Sequence, residues 1–133
     1  MSGRTAYLDT SAFLKLVVRE PESDALVRAL VHWQDRASAS LLRTEAARAL
    51  RRAGQESALG LARRLFAGMF LVRLDEPLLD HAGELNPLGL RSLDAIHLAA
   101  ALAVGPDLAV FLTYDSHLAD AARAVGLAVE APV

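Results

Sequence analysis

Four acidic side chains stand where a charge is awkward, and together they point to one kind of chemistry. Asp9 closes the apolar segment Thr5-Ala6-Tyr7-Leu8, and Asp115 closes another, Ala109-Val110-Phe111-Leu112-Thr113-Tyr114. Glu45 lies three residues after Leu42 and four before Ala49, so on a helix it shares their apolar face rather than that of Arg48 and Arg52. Asp94 falls in the first turn of an otherwise apolar stretch, Ser92-Leu93-Asp94-Ala95-Ile96-His97-Leu98-Ala99. Clustered carboxylates raise one another's pKa unless a cation neutralises them. Oxygen donors in a chain without cysteine suit a hard divalent ion, Mg²⁺ or Mn²⁺.

Each acid also has a plainer role when taken alone. Asp94 complements the positive end of a helix. Asp9 and Asp115 are N-caps for the helices that follow them. Glu45 is hardest to explain this way, because a carboxylate on an apolar face needs a partner. Four such positions together shift the balance toward a metal site. His97 follows Asp94 by three and reads as packed, or as a residue behind a ligand, rather than as a ligand. His117 reads as solvent-facing, and His32 and His81 as surface residues. Ser11 and Thr113 each lie two residues from an acid, placed to orient a carboxylate, a water or a phosphate. Both are also ordinary turn and strand residues.

The elements that must position these groups alternate. The pattern predicts a strand over 5–8, a helix from Thr10-Ser11, and a second helix with Pro21 in its first turn. A weak strand over 36–39 precedes a helix from Leu41 to Ala53, with Ser40 as N-cap and Gly54 closing it. A basic helix spans Glu56 to Gly68, a strand 69–74, and a short helix 77–85. After the Asn86-Pro87-Leu88-Gly89 loop, Ser92 caps an apolar helix ending at Gly105-Pro106. A buried strand over 109–114, a helix over 116–125 and a short strand after Gly126 complete the chain. Alternation of this kind implies a three-layer α/β/α sandwich around a parallel sheet. In such sheets the ligand crevice lies at the carboxyl ends of the strands, where Asp9 and Asp115 stand.

Length and charge set the bounds. The 133 residues fit one domain, 1–133, at roughly 150 residues per domain. No apolar run is long enough for a membrane span or a signal-type segment, Met1-Ser2-Gly3-Arg4 included, so a soluble, cytoplasmic protein is expected. The formal net charge of −2 excludes a uniformly basic coat but hides an asymmetry. Residues 36–73 hold eight arginines against Glu45 and Glu56, whereas residues 74–133 hold nine acids against Arg91 and Arg123. A basic middle attracts polyanions, and an acidic end concentrates carboxylates. For any single arginine, solvating a helix face is the simpler role.

The segments Tyr7-Leu8-Asp9-Thr10-Ser11-Ala12, Thr44-Glu45-Ala46, Leu93-Asp94-Ala95-Ile96-His97-Leu98-Ala99 and Thr113-Tyr114-Asp115 resemble the signature blocks of PIN domains. The resemblance is closest to VapC, the ribonuclease toxins of VapBC-type toxin–antitoxin pairs. It covers nearly the whole chain, and its strength lies in the ordered set rather than in any one block. It implies a five-stranded parallel sheet and a Mg²⁺- or Mn²⁺-dependent endoribonuclease acting on structured RNA of the tRNA or rRNA class. Asp9, Glu45, Asp94 and Asp115 match the family's acidic quartet, and Ser11 and Thr113 match polar positions around it. One departure is Ser116-His117, where many relatives carry further charged residues.

The expected mechanism follows. Asp9, Asp94 and Asp115 hold one or two divalent ions, and Glu45 completes the cluster by orienting or deprotonating the attacking water. Arg43, Arg48, Arg51, Arg52, Arg63 and Arg64 are the candidates for gripping the RNA backbone. The resemblance further implies a homodimer and a VapB-type antitoxin that pushes a basic side chain toward the acids. Trp33, Leu59 and Phe70 are candidates for either interface, while Leu61, Leu65 and Phe66 read as core. A phosphoacceptor receiver domain is a poor alternative, because it needs a lysine after a late strand and the only lysine, Lys15, falls in the first helix. A PIN nuclease of RNA processing and a catalytically silent PIN scaffold are the other two.

Overall fold

The computed structural model describes residues 3–133; Met1 and Ser2, part of the leading segment considered above, lie outside the described residues. The order is β1 (Thr5–Leu8), α1 (Thr10–Leu14), α2 (Ser23–Leu30), β2 (Asp35–Ala39), α3 (Leu42–Arg52), α4 (Leu59–Ala67) and β3 (Phe70–Val72). It continues with α5 (Glu76–Glu84), α6 (Ser92–Val104), β4 (Leu108–Leu112), α7 (Ser116–Ala124) and β5 (Val129–Glu130). Short 3₁₀ turns precede α4 and β4. All strand pairs are parallel, in the order β3-β2-β1-β4-β5. The chain therefore builds outward from β1 on one side, then returns to place β4 on the other. The switch point between β1 and β4 is where an open parallel sheet opens a crevice.

Period-two alternation assigns the two faces. Tyr7, Ala37, Ala39, Val72 and Phe111 pack with Leu78, Leu98 and Leu118 of α5, α6 and α7. Ala6, Leu8, Val110 and Leu112 pack on the opposite face with Ala12, Leu26 and Leu30. All four β1 residues are buried, as a strand covered on both faces requires. A third cluster joins α1 to α3 and α4 through Phe13, Leu42, Ala46, Leu50, Ala62 and Phe66. In it the rings of Phe13 and Phe66 stack with centroids 5.1 Å apart. The fourfold spacing of Leu42, Ala46 and Leu50 turns one face of α3 inward, and Glu45 rides beside it.

Several helix starts differ from the sequence expectation, each for a local reason. Helix α2 begins at Ser23, so Pro21 lies in the turn before it. Glu22 bonds Lys15 at 2.8 Å instead of capping α2. Ser40 does not cap α3: its backbone N–H bonds Val72 C=O at 2.9 Å, extending the ladder between β2 and β3. At α6 the capping position belongs to Arg91, and Ser92 is already helical. The basic helix is a 3₁₀ turn followed by α4, and strands β3 and β4 are shorter than the apolar runs that announce them. Leu61, read as core, is 36% exposed, while Phe66 is buried as expected. Gly54 and Gly105, at φ 69° and 77°, close α3 and α6 in conformations that favour glycine. Lys15 is held by Glu22 and Glu20 over the ring of Tyr114, which closes the receiver reading.

Among the described residues no helix is long and apolar enough to cross a membrane.

Candidate active site

Asp9 is the first residue past β1 and Thr113 the first past β4, and parallel register sets them side by side. The Asp9 backbone N–H bonds Leu112 C=O at 3.2 Å. Its carboxylate caps α1: Oδ1 accepts from the Ala12 N–H at 2.9 Å and from Ser11 Oγ at 2.7 Å. Oδ2 accepts from Thr113 Oγ1 at 2.6 Å. Only 4% of Asp9 is exposed. Burial pushes its carboxyl above the usual range, and the bonds from Thr113, Ser11 and Ala12 pull only partly against that.

Ser11 and Thr113 are the fasteners of this edge. Thr113 Oγ1 accepts the Asp115 backbone N–H at 3.0 Å while donating to Asp9. Ser11 Oγ accepts the Tyr114 N–H at 3.0 Å while donating to Asp9. Each hydroxyl thus ties β1 to the segment after β4. Asp115 caps α7, its Oδ1 accepting the N–H groups of His117 at 2.9 Å and Leu118 at 3.1 Å. The capping roles of Asp9 and Asp115 hold, and each cap fixes a carboxylate at the same sheet edge.

Asp94 stands in the first turn of α6, with Arg91 Nε at 3.9 Å from its Oδ2. Desolvation first, and then the negative charge of Asp115, raise its pKa; Asp9 adds to the rise and Arg91 opposes it. Asp94 therefore lies within electrostatic reach of both Asp115 and Asp9. Glu45 is attached differently. Its Oε1 accepts from Thr10 Oγ1 at 2.6 Å and pairs with His97 Nε2 at 2.6 Å. Burial works to raise the Glu45 carboxyl, but the bonds from His97 and Thr10 outweigh it and leave the group below its ordinary value.

Among the described residues, no three His, Asp or Glu side chains are drawn tightly enough together to enclose a cation. Like charges in a partly dry site repel, and Asp9, Glu45 and Asp115 are each held by their own donors. The donor chemistry nevertheless fits a hard divalent ion. It consists of oxygen alone, and two of its acids carry raised pKa values that a cation relieves. Beside Asp94 opens a cleft of about 920 Å³ between the 84–91 segment and α7, with Arg91, His117 and Asp120 on its walls.

The six arginines are all exposed. Arg48, Arg51 and Arg52 converge on a shallow hollow with Glu56, and the Arg43 guanidinium lies 5.3 Å from the Phe66 ring centroid. Arg63 and Arg64 project from α4. His117, His32 and His81 are exposed, as expected, and His97 is buried. Two residues escaped the sequence reading. Thr10 bonds Glu45, and Tyr7 bonds His97 from within β1. The period of two that puts Tyr7 on the same face of the chain as Asp9 was the available signal.

A five-stranded parallel sheet in this order, with helices packed on it, defines an α/β/α domain with Asp9 and Asp115 just past the ends of β1 and β4. The PIN domain family model matches residues 6–124. Ribonuclease VapC46 of Mycobacterium tuberculosis is 52% identical over 126 residues, covering 95% of this chain and 96% of that protein. Ribonuclease VapC47 of the same species is 40% identical over 130 residues, with 95% and 96% covered. The chain belongs to the PIN domain family, among the VapC ribonucleases. Solved structures share its fold at 15% identity. VapC20 of M. tuberculosis, a Sarcin-Ricin loop cleaving toxin, superimposes with a TM-score of 0.72, covering 92% of this chain and 95% of that one. VapBC2 of Rickettsia felis, bound to a DNA fragment from its promoter, gives a TM-score of 0.72 with 97% and 99% covered.

Proposed function

We propose that this chain is a Mg²⁺- or Mn²⁺-dependent endoribonuclease, the toxin of a toxin–antitoxin pair, cutting structured RNA of the tRNA or rRNA class. The observation that supports this reading is that Asp9 and Asp115 follow the ends of the paired strands β1 and β4, with Asp94 near enough for both their charges to raise its pKa. Asp9, Asp94 and Asp115 are the residues to hold the ion. When bound, such an ion lowers the pKa of a water and screens charge developing on the scissile phosphate. Ser11 and Thr113 keep the Asp9 carboxylate from turning away. Glu45 has one oxygen committed to Thr10 and His97, and its second orients the attacking water or takes its proton. In-line attack on phosphorus breaks the bond to the 3′ oxygen, leaving a 3′-hydroxyl and a 5′-phosphate. Arg43, Arg48, Arg51, Arg52, Arg63 and Arg64 hold the RNA backbone through charge rather than base readout.

A VapB-type antitoxin and a second copy of this chain are the proposed partners, in the cytoplasm. The VapC names of the relatives and the VapBC assembly of the structural neighbour support the first of these. The test is to incubate the purified, antitoxin-free protein with total cellular RNA in Mg²⁺, in Mn²⁺ and in EDTA, beside an Asp94→Asn control. Discrete fragments that require metal and vanish in the control are expected. Intact RNA under every condition, from folded protein, would replace this reading with that of a binding scaffold.

A further inference from the structure

A hydrogen-bonded rail runs from the core to Glu45, and its inner member, Tyr7, has no part in the nuclease reading above. The Tyr7 hydroxyl lies 2.8 Å from His97 Nδ1, and His97 Nε2 lies 2.6 Å from Glu45 Oε1. Both rings are buried, Tyr7 fully and His97 to within 2%. Tyr7 is itself clamped, its ring stacked on that of its register partner Phe111 with centroids 5.2 Å apart and planes 6° from parallel. The His97 ring meets Tyr7 edge-on, at 80°. We propose that Tyr7 and His97 are positioning residues that fix the Glu45 carboxylate, committing Oε1 and leaving Oε2 to face the reacting centre.

The direction of the rail follows from what each atom can donate. A tyrosine phenol carries its proton at neutral pH, so its O–H is available as a donor. Along the rail the partner of the Tyr7 hydroxyl is His97 Nδ1, 2.8 Å away. A ring that accepts at Nδ1 carries its hydrogen on Nε2, pointed at Glu45. Thr10 donates to the same Glu45 oxygen at 2.6 Å, from the residue next to Asp9. Oε1 therefore receives two donors, and among the described residues no donor reaches Oε2. A long side chain on a helix is immobilised in this way at one oxygen only. The stacked β1–β4 pair reaches the acid on α3 through a residue of α6, so three layers of the fold share in placing it.

This inference rests on the proposed nuclease reading for its consequence in activity, but its geometry is independently testable. Three variants separate packing from positioning: His97→Leu fills the space without a donor, His97→Gln restores both a donor and an acceptor, and Tyr7→Phe removes only the hydroxyl. Cleavage of total cellular RNA is followed as a function of RNA concentration, Mn²⁺ affinity by calorimetry, and the Glu45 conformer by crystallography of each variant. In folded His97→Leu protein, kcat falls on the order of 10–100-fold with KM for RNA unchanged, and Glu45 leaves its place beside Thr10. His97→Gln recovers most of the loss, and Tyr7→Phe shows a smaller one. An unmoved Glu45 in His97→Leu, with parental kcat and Mn²⁺ affinity, overturns the inference. If the parent chain itself neither cuts RNA nor binds Mn²⁺, the nuclease reading fails. The Glu45 conformer then decides the positioning role alone.

Discussion

Thr113 and Asp9 stand 104 residues apart in the chain, yet the hydroxyl of one donates to the buried carboxylate of the other at 2.6 Å. The same hydroxyl accepts the backbone N–H of Asp115, so one oxygen holds two strand-end acids in register. A hydrogen bond to a charged buried group contributes more than a neutral one. Thr113→Val keeps the shape and loses the donor, and it is expected to cost about 1.5–3 kcal/mol at neutral pH. Thr113→Ser retains the bond and loses far less. Urea unfolding midpoints of the two variants check this, and equal midpoints for Val and Ser would count against it.

Asp94 illustrates a conflict between site and stability. Its folded-state pKa is raised by desolvation and by the charge of Asp115. An acid raised in this way binds its proton more tightly folded than unfolded. The associated stability is present below the ordinary carboxylate pKa and is lost as pH rises through the folded value. Asp94→Asn removes that loss. Its melting temperature is expected to rise relative to the parent between acid and neutral pH, while cleavage falls by on the order of a hundredfold or more. Thermal unfolding across pH supplies the test. A variant less stable than the parent at neutral pH would show that the Asp94 charge is compensated after all.

The sheet and the acids were legible because both rest on local pattern. Apolar runs ending in Asp9 and Asp115 announce parallel strands whose ends share an edge, and the β1–β4 pairing brings those ends together. The partners of Glu45 were not legible. Thr10, His97 and Tyr7 come from α1, α6 and β1, and only tertiary packing brings them to one carboxylate. The spacing of Glu45 on α3 does show that it needs a partner, without naming one. Helix starts at Ser40 and Ser92 were misread for a related reason. Both serines are good capping residues in isolation, but the β2–β3 ladder claims the backbone of Ser40 and the entry to α6 turns one residue earlier.

Metal binding is expected to stabilise the parent chain, because the ion meets an assembled donor set only in the folded state. At free Mn²⁺ near one hundred times its dissociation constant, the gain is about 2.7 kcal/mol. The same addition leaves Asp94→Asn with little or none of this gain, and EDTA abolishes both the stabilisation and the cleavage. Calorimetric melting with and without Mn²⁺ distinguishes the outcomes. A parental midpoint indifferent to Mn²⁺ removes Asp9, Asp94 and Asp115 as ion ligands.

Arg48, Arg51 and Arg52 converge on one hollow of the surface and face solvent, an arrangement suited to successive phosphates. Each phosphate neutralised releases counterions, so single-stranded RNA affinity falls with salt by a logarithmic slope of about 0.7 per contact. Replacing all three by Ala in the Asp94→Asn background, which spares the RNA from cleavage, is expected to weaken binding uniformly across sequences and flatten that slope by roughly two. Arg19, whose guanidinium is paired with both carboxylate oxygens of Asp24 at 3.0 and 2.8 Å, serves as the contrast. Arg19→Ala removes a cation already matched by an acid and leaves the slope unchanged. Fluorescence anisotropy over a salt series reads both. A triple variant with the parental slope would move the RNA path off α3, leaving Arg63 and Arg64 of α4 as the basic surface to examine.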